Sequence, residues 1–345
     1  MLADFWGRRA RRLLPAATLV VIFTAIIAVF LVNRLTMRDV QYDLVAAAMY
    51  GANVRFGVTG SDYWATNYIS PVLHFWSLGV EEQFYIAIPL LLLLAHIIFW
   101  KVPAKHMPRV IRGLMVVTAI ISAIYCFNLV GQNPVWGYYS TLGRAWEFAL
   151  GGLAALAATP AMLTAKRIRR PLLAVLWGVL IVSAMVIDPK AGYPGVTTIV
   201  PVAASALVMW LGDGSATVAV AIFRTRLSLF NRLLAWLGGI SYSAYLWHWA
   251  LLWSAAAITA KDRNPANLGH KLALLMLFVS IILAAITKRF VEDPLRFRPE
   301  YVRSTFRSLS LGWRSSAVAV GVIGVTALLP SFYLLDTAPV AAAPK

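Results

Sequence analysis

His74-Phe-Trp-Ser-Leu-Gly-Val-Glu-Glu-Gln-Phe-Tyr85 sets a histidine, two adjacent carboxylates and four aromatic rings in one short stretch, and runs straight into the apolar residues 86–100. Steps of three and four residues share a helix face, so His74, Ser77, Glu81 and Tyr85 fall on one stripe. Glu82 and Gln83 turn off it. A helix that enters lipid with His and Glu on one face must bury them against protein or face a wet cavity. The stretch therefore predicts a membrane helix that opens in a functional site. The bland alternative is an interfacial helix end, with Trp76 and Tyr85 in an aromatic belt and the acids in water.

Working outward, hydrophobic residues make up 60% of the 345-residue chain and charged ones 13%, too little polar surface to clothe a soluble globule. The mean hydropathy is +0.74. Lys and Arg number 31 against 14 Asp and Glu, a net charge of +17. In a soluble protein that excess would suggest nucleic acid. In a polytopic chain it reflects basic loops on the cytoplasmic side, so no nucleic-acid partner is expected. Cys126 stands alone in an apolar run, which gives no disulfide framework, and no His/Cys/Asp spacing suggests a metal.

The apolar runs predict an all-α, polytopic transmembrane bundle of about nine spans, near 14–32, 76–100, 110–129, 144–163, 171–187, 194–212, 235–258, 271–289 and 315–335. Residues 39–67 read as a re-entrant or interfacial segment. With that count the basic clusters at 8–12, 101–112, 166–170, 224–232 and 288–314 fall on one side of the membrane. The N-terminus is then cytoplasmic and the C-terminus extracytoplasmic. One membrane domain covers 1–335, and 336–345 form an extracytoplasmic tail.

Further motifs carry chemistry. Ser241, Tyr245 and His248 share a face of an otherwise apolar helix, with Tyr242 beside them; a satisfied buried histidine is the structural alternative. With His74 and Glu81 they suggest a base for a hydroxyl, the acid orienting the imidazole. Arg144 and Glu147, three apart, suit a pair that lowers its own burial cost. Arg9 and Arg12 set topology or clamp a phosphate. Glu292 lies at a helix end, where a cap or an ion pair with Arg296 is the simpler use. The same polar positions could instead form a proton or solute relay in a transporter.

At these residues the chain resembles the acyltransferase type 3 family of integral-membrane O-acyltransferases. The carriers are His74-Phe-Trp-Ser-Leu-x-x-Glu81-Glu-Gln-Phe-Tyr, Arg144-Ala-Trp-Glu147, Leu237-Gly-Gly-Ile-Ser-Tyr-Ser-Ala-Tyr-Leu-Trp-His248-Trp, Val291-Glu-Asp-Pro-Leu-Arg296 and Arg9-x-x-Arg12-Leu-Leu-Pro-Ala. The resemblance implies transfer of an acyl group, often acetyl, from cytoplasmic acyl-CoA to a glycan hydroxyl in a bacterial inner membrane. Acceptors in the family include the O-antigen of lipopolysaccharide, peptidoglycan, exopolysaccharide and lipid-linked saccharides. The residues themselves make His74 with Glu81 the best local base, with Glu82, Tyr245 and His248 beside them as catalytic candidates. The resemblance instead favours a histidine on a further first helix as the essential base, and implies CoA phosphate contacts for Arg9 and Arg12. Trp76, Ser77, Arg144, Glu147, Ser241 and Tyr242 are left to substrate binding or polar structure. The family usually opens with two further helices, the first bearing a histidine, so the resemblance implies a chain lacking both, as an inactive member would. It also implies an extracytoplasmic SGNH-type domain on the full-length or a neighbouring chain.

Overall fold

Apolar segments separated by Pro, Gly and basic residues become helices throughout the computed structural model, which describes residues 2–60, 69–188, 193–212, 228–259 and 264–329. In chain order they are α1 (Leu2–Leu31), α2 (Arg34–Ala48), α3 (Ala52–Thr59), α4 (Phe75–Ile98), α5 (Met107–Gln132), α6 (Pro134–Tyr139), α7 (Thr141–Leu156) and α8 (Ala161–Thr164). There follow α9 (Lys166–Val186), α10 (Ile199–Leu211), α11 (Ser228–Thr259), α12 (His270–Thr287), a π-helical turn (Lys288–Glu292), α13 (Asp293–Phe297), α14 (Pro299–Val302) and α15 (Thr305–Leu328).

The protein is all-α and polytopic, but the nine expected spans do not each fall on one helix: residues 144–163 divide between α7 and α8, and 315–335 runs past the described residues. Among the described residues, six helices are long and apolar enough to cross a membrane: Leu2–Leu31, Phe75–Ile98, Ala104–Gln132, Arg167–Val186, His270–Phe297 and Thr305–Leu328. α7 and α10, with 16 and 13 residues, fall short of the roughly 20 that cross a bilayer upright. The stretch expected to be re-entrant holds α2 and α3, of 15 and 8 residues, again below spanning length. The expected tail at 336–345 lies outside the described residues.

The chain divides into two compact units: residues 1–56, 61–79 and 239–345, and residues 57–60 and 80–238. In the first, α1 and α15 run parallel, with Gly7 against Ser308 and Leu14 against Gly312. Small residues (Ala10, Ala16, Ala17, Ala25, Ala28, Ala319) are buried along α1 and α15. Lipid tails are as apolar as leucine, so such helices associate by close backbone approach rather than by hydrophobic exclusion. In the second unit Trp146 of α7 packs on Cys126 and Val130 of α5. Ser122 Oγ fixes that pair by donating to Leu142 O at 2.5 Å and accepting from Trp146 N at 2.9 Å.

Candidate functional site

Residues 70–74, which lead into α4, are all buried. A buried loop must find partners for its backbone oxygens. Here α11 supplies them. Tyr245 Oη donates to His74 O at 2.7 Å, Trp249 Nε1 to Ser70 O at 3.1 Å and Trp253 Nε1 to Ile69 O at 3.0 Å. Tyr245, Trp249 and Trp253 stand four residues apart, so one helix face carries the whole clamp. Gly79 lets the start of α4 come close to the turn after α2. A Cβ there would meet Asn53 Oδ1 at 2.6 Å and Tyr50 O at 3.0 Å.

The clamp brings two histidines together. His74 is 2% exposed, and its Nε2 lies 3.1 Å from Leu246 O. A carbonyl only accepts, so assigning the tautomer from this contact puts the proton on Nε2 and leaves the lone pair on Nδ1. Nδ1 is buried with no hydrogen-bond partner among the described residues. His248 Nδ1 bonds Tyr245 O, so its lone pair is on Nε2. The ring centroids of His74 and His248 are 5.5 Å apart, and Tyr245 lies 5.5 and 5.2 Å from them. Ser77 Oγ sits 2.6 Å from Tyr245 Oη and 3.2 Å from His74 O. His74, Ser77, Tyr245 and His248 thus form one cluster, as their motifs predict. Trp247, next on α11, holds the level: its ring lies 5.0 Å from Phe23 of α1, and its Nε1 donates to Thr287 Oγ1 at 2.9 Å.

Other predicted members lie elsewhere. His74 belongs to the turn before Phe75, not to the helix, so the stripe through Glu81 does not extend to it. The imidazole is oriented by the Leu246 carbonyl and not by the Glu81 carboxylate. Glu81 is exposed and Glu82 half-buried, both on the part of α4 that belongs to the second unit. Trp76 is half-buried. Ser241 is exposed while Ser243, which donates to Glu292, is fully buried. Tyr242 Oη donates to Leu13 O at 2.8 Å, a tie to α1.

Nearer the start of α1, Arg8, Arg9, Arg11 and Arg12 line a cavity of about 490 Å³ with Arg296 and Phe297. Arg11 is held by Tyr301 O and Ser308 Oγ, both at 2.8 Å, and Arg9 lies over the Phe5 ring at 5.2 Å. Several guanidinium forks around one space fit a ligand with more than one phosphate. Eleven residues of α1 separate Arg12 from Phe23, about 16 Å at 1.5 Å each. Glu292 is buried in the π-turn and accepts from Ser243 Oγ. Neither the helix cap nor the ion pair with Arg296 expected from the sequence forms: the wider turn points the carboxylate at α11. π-Turns often mark functional positions.

In the second unit Arg144 is 5% exposed and pairs with Glu147 at 2.8 Å. Its Nε and Nη2 donate to Tyr138 O at 3.3 Å, and the rings of Tyr138 and Tyr193 flank it at 5.2 and 5.5 Å. Every face of the guanidinium is engaged, as a buried cation requires. Ser140 caps α7 by accepting from Gly143 N at 3.1 Å.

The family model described as an acyltransferase domain matches residues 1–289. The chain belongs to this acyltransferase family. It is 30% identical over 328 residues to "Putative peptidoglycan O-acetyltransferase YrhL" of Bacillus subtilis, covering 91% of this chain and 49% of that protein. It is 26% identical over 347 residues to "Peptidoglycan O-acetyltransferase OatA" of Listeria monocytogenes, covering 96% and 53%. The acyltransferase chain spans about half the length of these relatives. No solved structure matches it. The residues to which sequence reasoning gave no role are Ser243, Trp249, Trp253 and Arg11, while Arg296, expected as a partner of Glu292, lines the arginine cavity instead. Only the four-residue spacing of Tyr245, Trp249 and Trp253 could have announced the clamp.

Proposed function

We propose that this acyltransferase moves an acetyl group from cytoplasmic acetyl-CoA to a hydroxyl of an exported or cell-surface glycan. The relatives' names favour peptidoglycan; a lipid-linked saccharide is a second source of the same hydroxyl. The observation that carries the reading is the buried imidazole of His74, whose Nδ1 lone pair has no described partner and lies in the cluster with His248 and Tyr245. In the transfer the acceptor oxygen attacks the thioester carbonyl and gives its proton to an imidazole. The C–S bond breaks, and the leaving thiolate takes up a proton. A placed base contributes roughly 10²–10⁴-fold in such a step.

The arginine cavity would hold the CoA phosphates through Arg9 and Arg12, with Arg11 and Arg296 alongside. The interval of about 16 Å from Arg12 to the level of Phe23 suits the reach of an extended pantetheine arm. An inner-membrane location with a cytoplasmic N-terminus would put that cavity on the acyl-CoA side. Ser77 and Tyr245 would position the acceptor, Glu81 and Glu82 remain candidates on its approach, and an SGNH-type partner domain would act beyond the membrane. Membranes carrying the full chain and acetyl-labelled acetyl-CoA should pass label to glycan. The label should vanish with His74→Ala at equal protein level; labelling at the wild-type level in both His74→Ala and His248→Ala would remove the assignment.

A further inference from the structure

The arginine cavity at the start of α1 is lined by aromatic rings as well as by cations. Phe5, Arg8, Arg9 and Arg12 line it at three- and four-residue steps, so one face of α1 presents them all. Arg296 and Phe297 of α13 and Val302 of α14 line the same space. Phe297 is 63% exposed, and the Arg296 guanidinium lies over its ring at 5.0 Å. Phe5 is half-buried beneath the Arg9 guanidinium, 5.2 Å from its ring centre. Each ring is thus presented together with a cation. The volume of about 490 Å³ falls within the roughly 300–1,000 Å³ of small-molecule sites.

Phosphates alone would need only the guanidinium forks. The exposed ring beside them suits a ligand that joins a flat body to several anionic groups, which is the build of a nucleotide. Bases stack on aromatic faces, and a neighbouring guanidinium adds a cation–π contact. A lone ring at a membrane surface commonly meets lipid headgroups; this one lines a cavity whose other residues are mostly arginine. The order along α1 fits the same ligand. Phe5 stands about one helical turn before Arg8 and Arg9, on the side away from Phe23 and the histidine cluster. In acyl-CoA the base likewise lies beyond the phosphates from the thioester. We propose that Phe297, with Phe5 at the same end of the arginine row, forms a subsite for the adenine base of the donor. The cavity thereby selects a nucleotide-bearing thioester over a shorter one. The inference rests on the reading of this cavity as the acyl-CoA site.

The test is calorimetry on the purified full chain in detergent with three probes. They are acetyl-CoA, S-acetyl-4′-phosphopantetheine, which lacks the nucleotide, and adenosine 3′,5′-bisphosphate, which lacks the acyl arm. Phe297→Ala and Phe297→Leu should each bind acetyl-CoA about tenfold or more weakly, and Phe297→Trp at least as tightly as the wild type. All three should bind the truncated thioester with wild-type affinity. Acetyl-CoA affinity unchanged in the alanine and leucine variants overturns the proposal. So does an equal loss for acetyl-CoA and the truncated thioester, which would make the ring a part of the fold. An affinity for phosphatidylglycerol that falls in the same variants, with nucleotide binding unchanged, would give the ring to lipid and also overturn it. Adenosine 3′,5′-bisphosphate bound in a Phe297-dependent way by a chain that takes no acetyl-CoA would keep the base subsite and remove the donor reading.

Discussion

Tyr245 and His74 illustrate what a single side chain does in this protein. The phenol donates to the His74 carbonyl and so fixes the backbone that aims the imidazole. Tyr245→Phe should lower turnover on the order of tenfold or more with an unchanged KM for acetyl-CoA, since no CoA contact is touched. Trp253→Phe removes the donor to Ile69 O and shrinks a buried ring. It should cost about 1–3 kcal/mol, seen as earlier thermal unfolding in detergent with normal activity in the folded fraction. The sequence made the four cluster residues legible because each is a polar group set in an otherwise apolar and aromatic stretch. It could not show that His74 lies in a turn, one residue before the helix, where helical spacing has no force. Pairing it with Glu81 followed from that one-residue misplacement.

At the scale of elements, close approaches decide the packing. A Cβ on Gly312 would sit 2.5 Å from Leu14 Cδ1, so Gly312→Val should force α1 from α15 and destabilise by about 1–3 kcal/mol. Gly79→Ala should disturb the start of α4 against Tyr50 O and Asn53, lowering both yield of folded protein and activity. Glu147→Ala strips the buried Arg144 of its carboxylate. It should destabilise by a few kcal/mol, whereas Arg144→Met with Glu147→Leu should recover much of the loss. A denaturation series in detergent reads all four. The long helices were legible because apolar runs of that length have one solution in lipid, whereas the break of residues 144–163 into α7 and α8 was not. The π-turn at Lys288–Glu292 was not legible either, since no composition marks a one-residue widening, and for that reason neither the cap nor the ion pair expected of Glu292 forms.

Over the whole molecule, one compact unit holds both the arginine cavity and the histidine cluster, and the parallel α1–α15 pair runs past both. If the cavity is the donor site, acetyl-CoA affinity should weaken steeply with salt, because exposed cations hold phosphate through screened interactions. The direct test of the central claim separates binding from chemistry. His74→Gln, in full-length protein at matched levels, should bind acetyl-CoA with wild-type affinity by calorimetry while acetyl transfer to glycan falls at least about a hundredfold. Transfer at the wild-type rate in His74→Gln, with acetyl-CoA still bound, would contradict it.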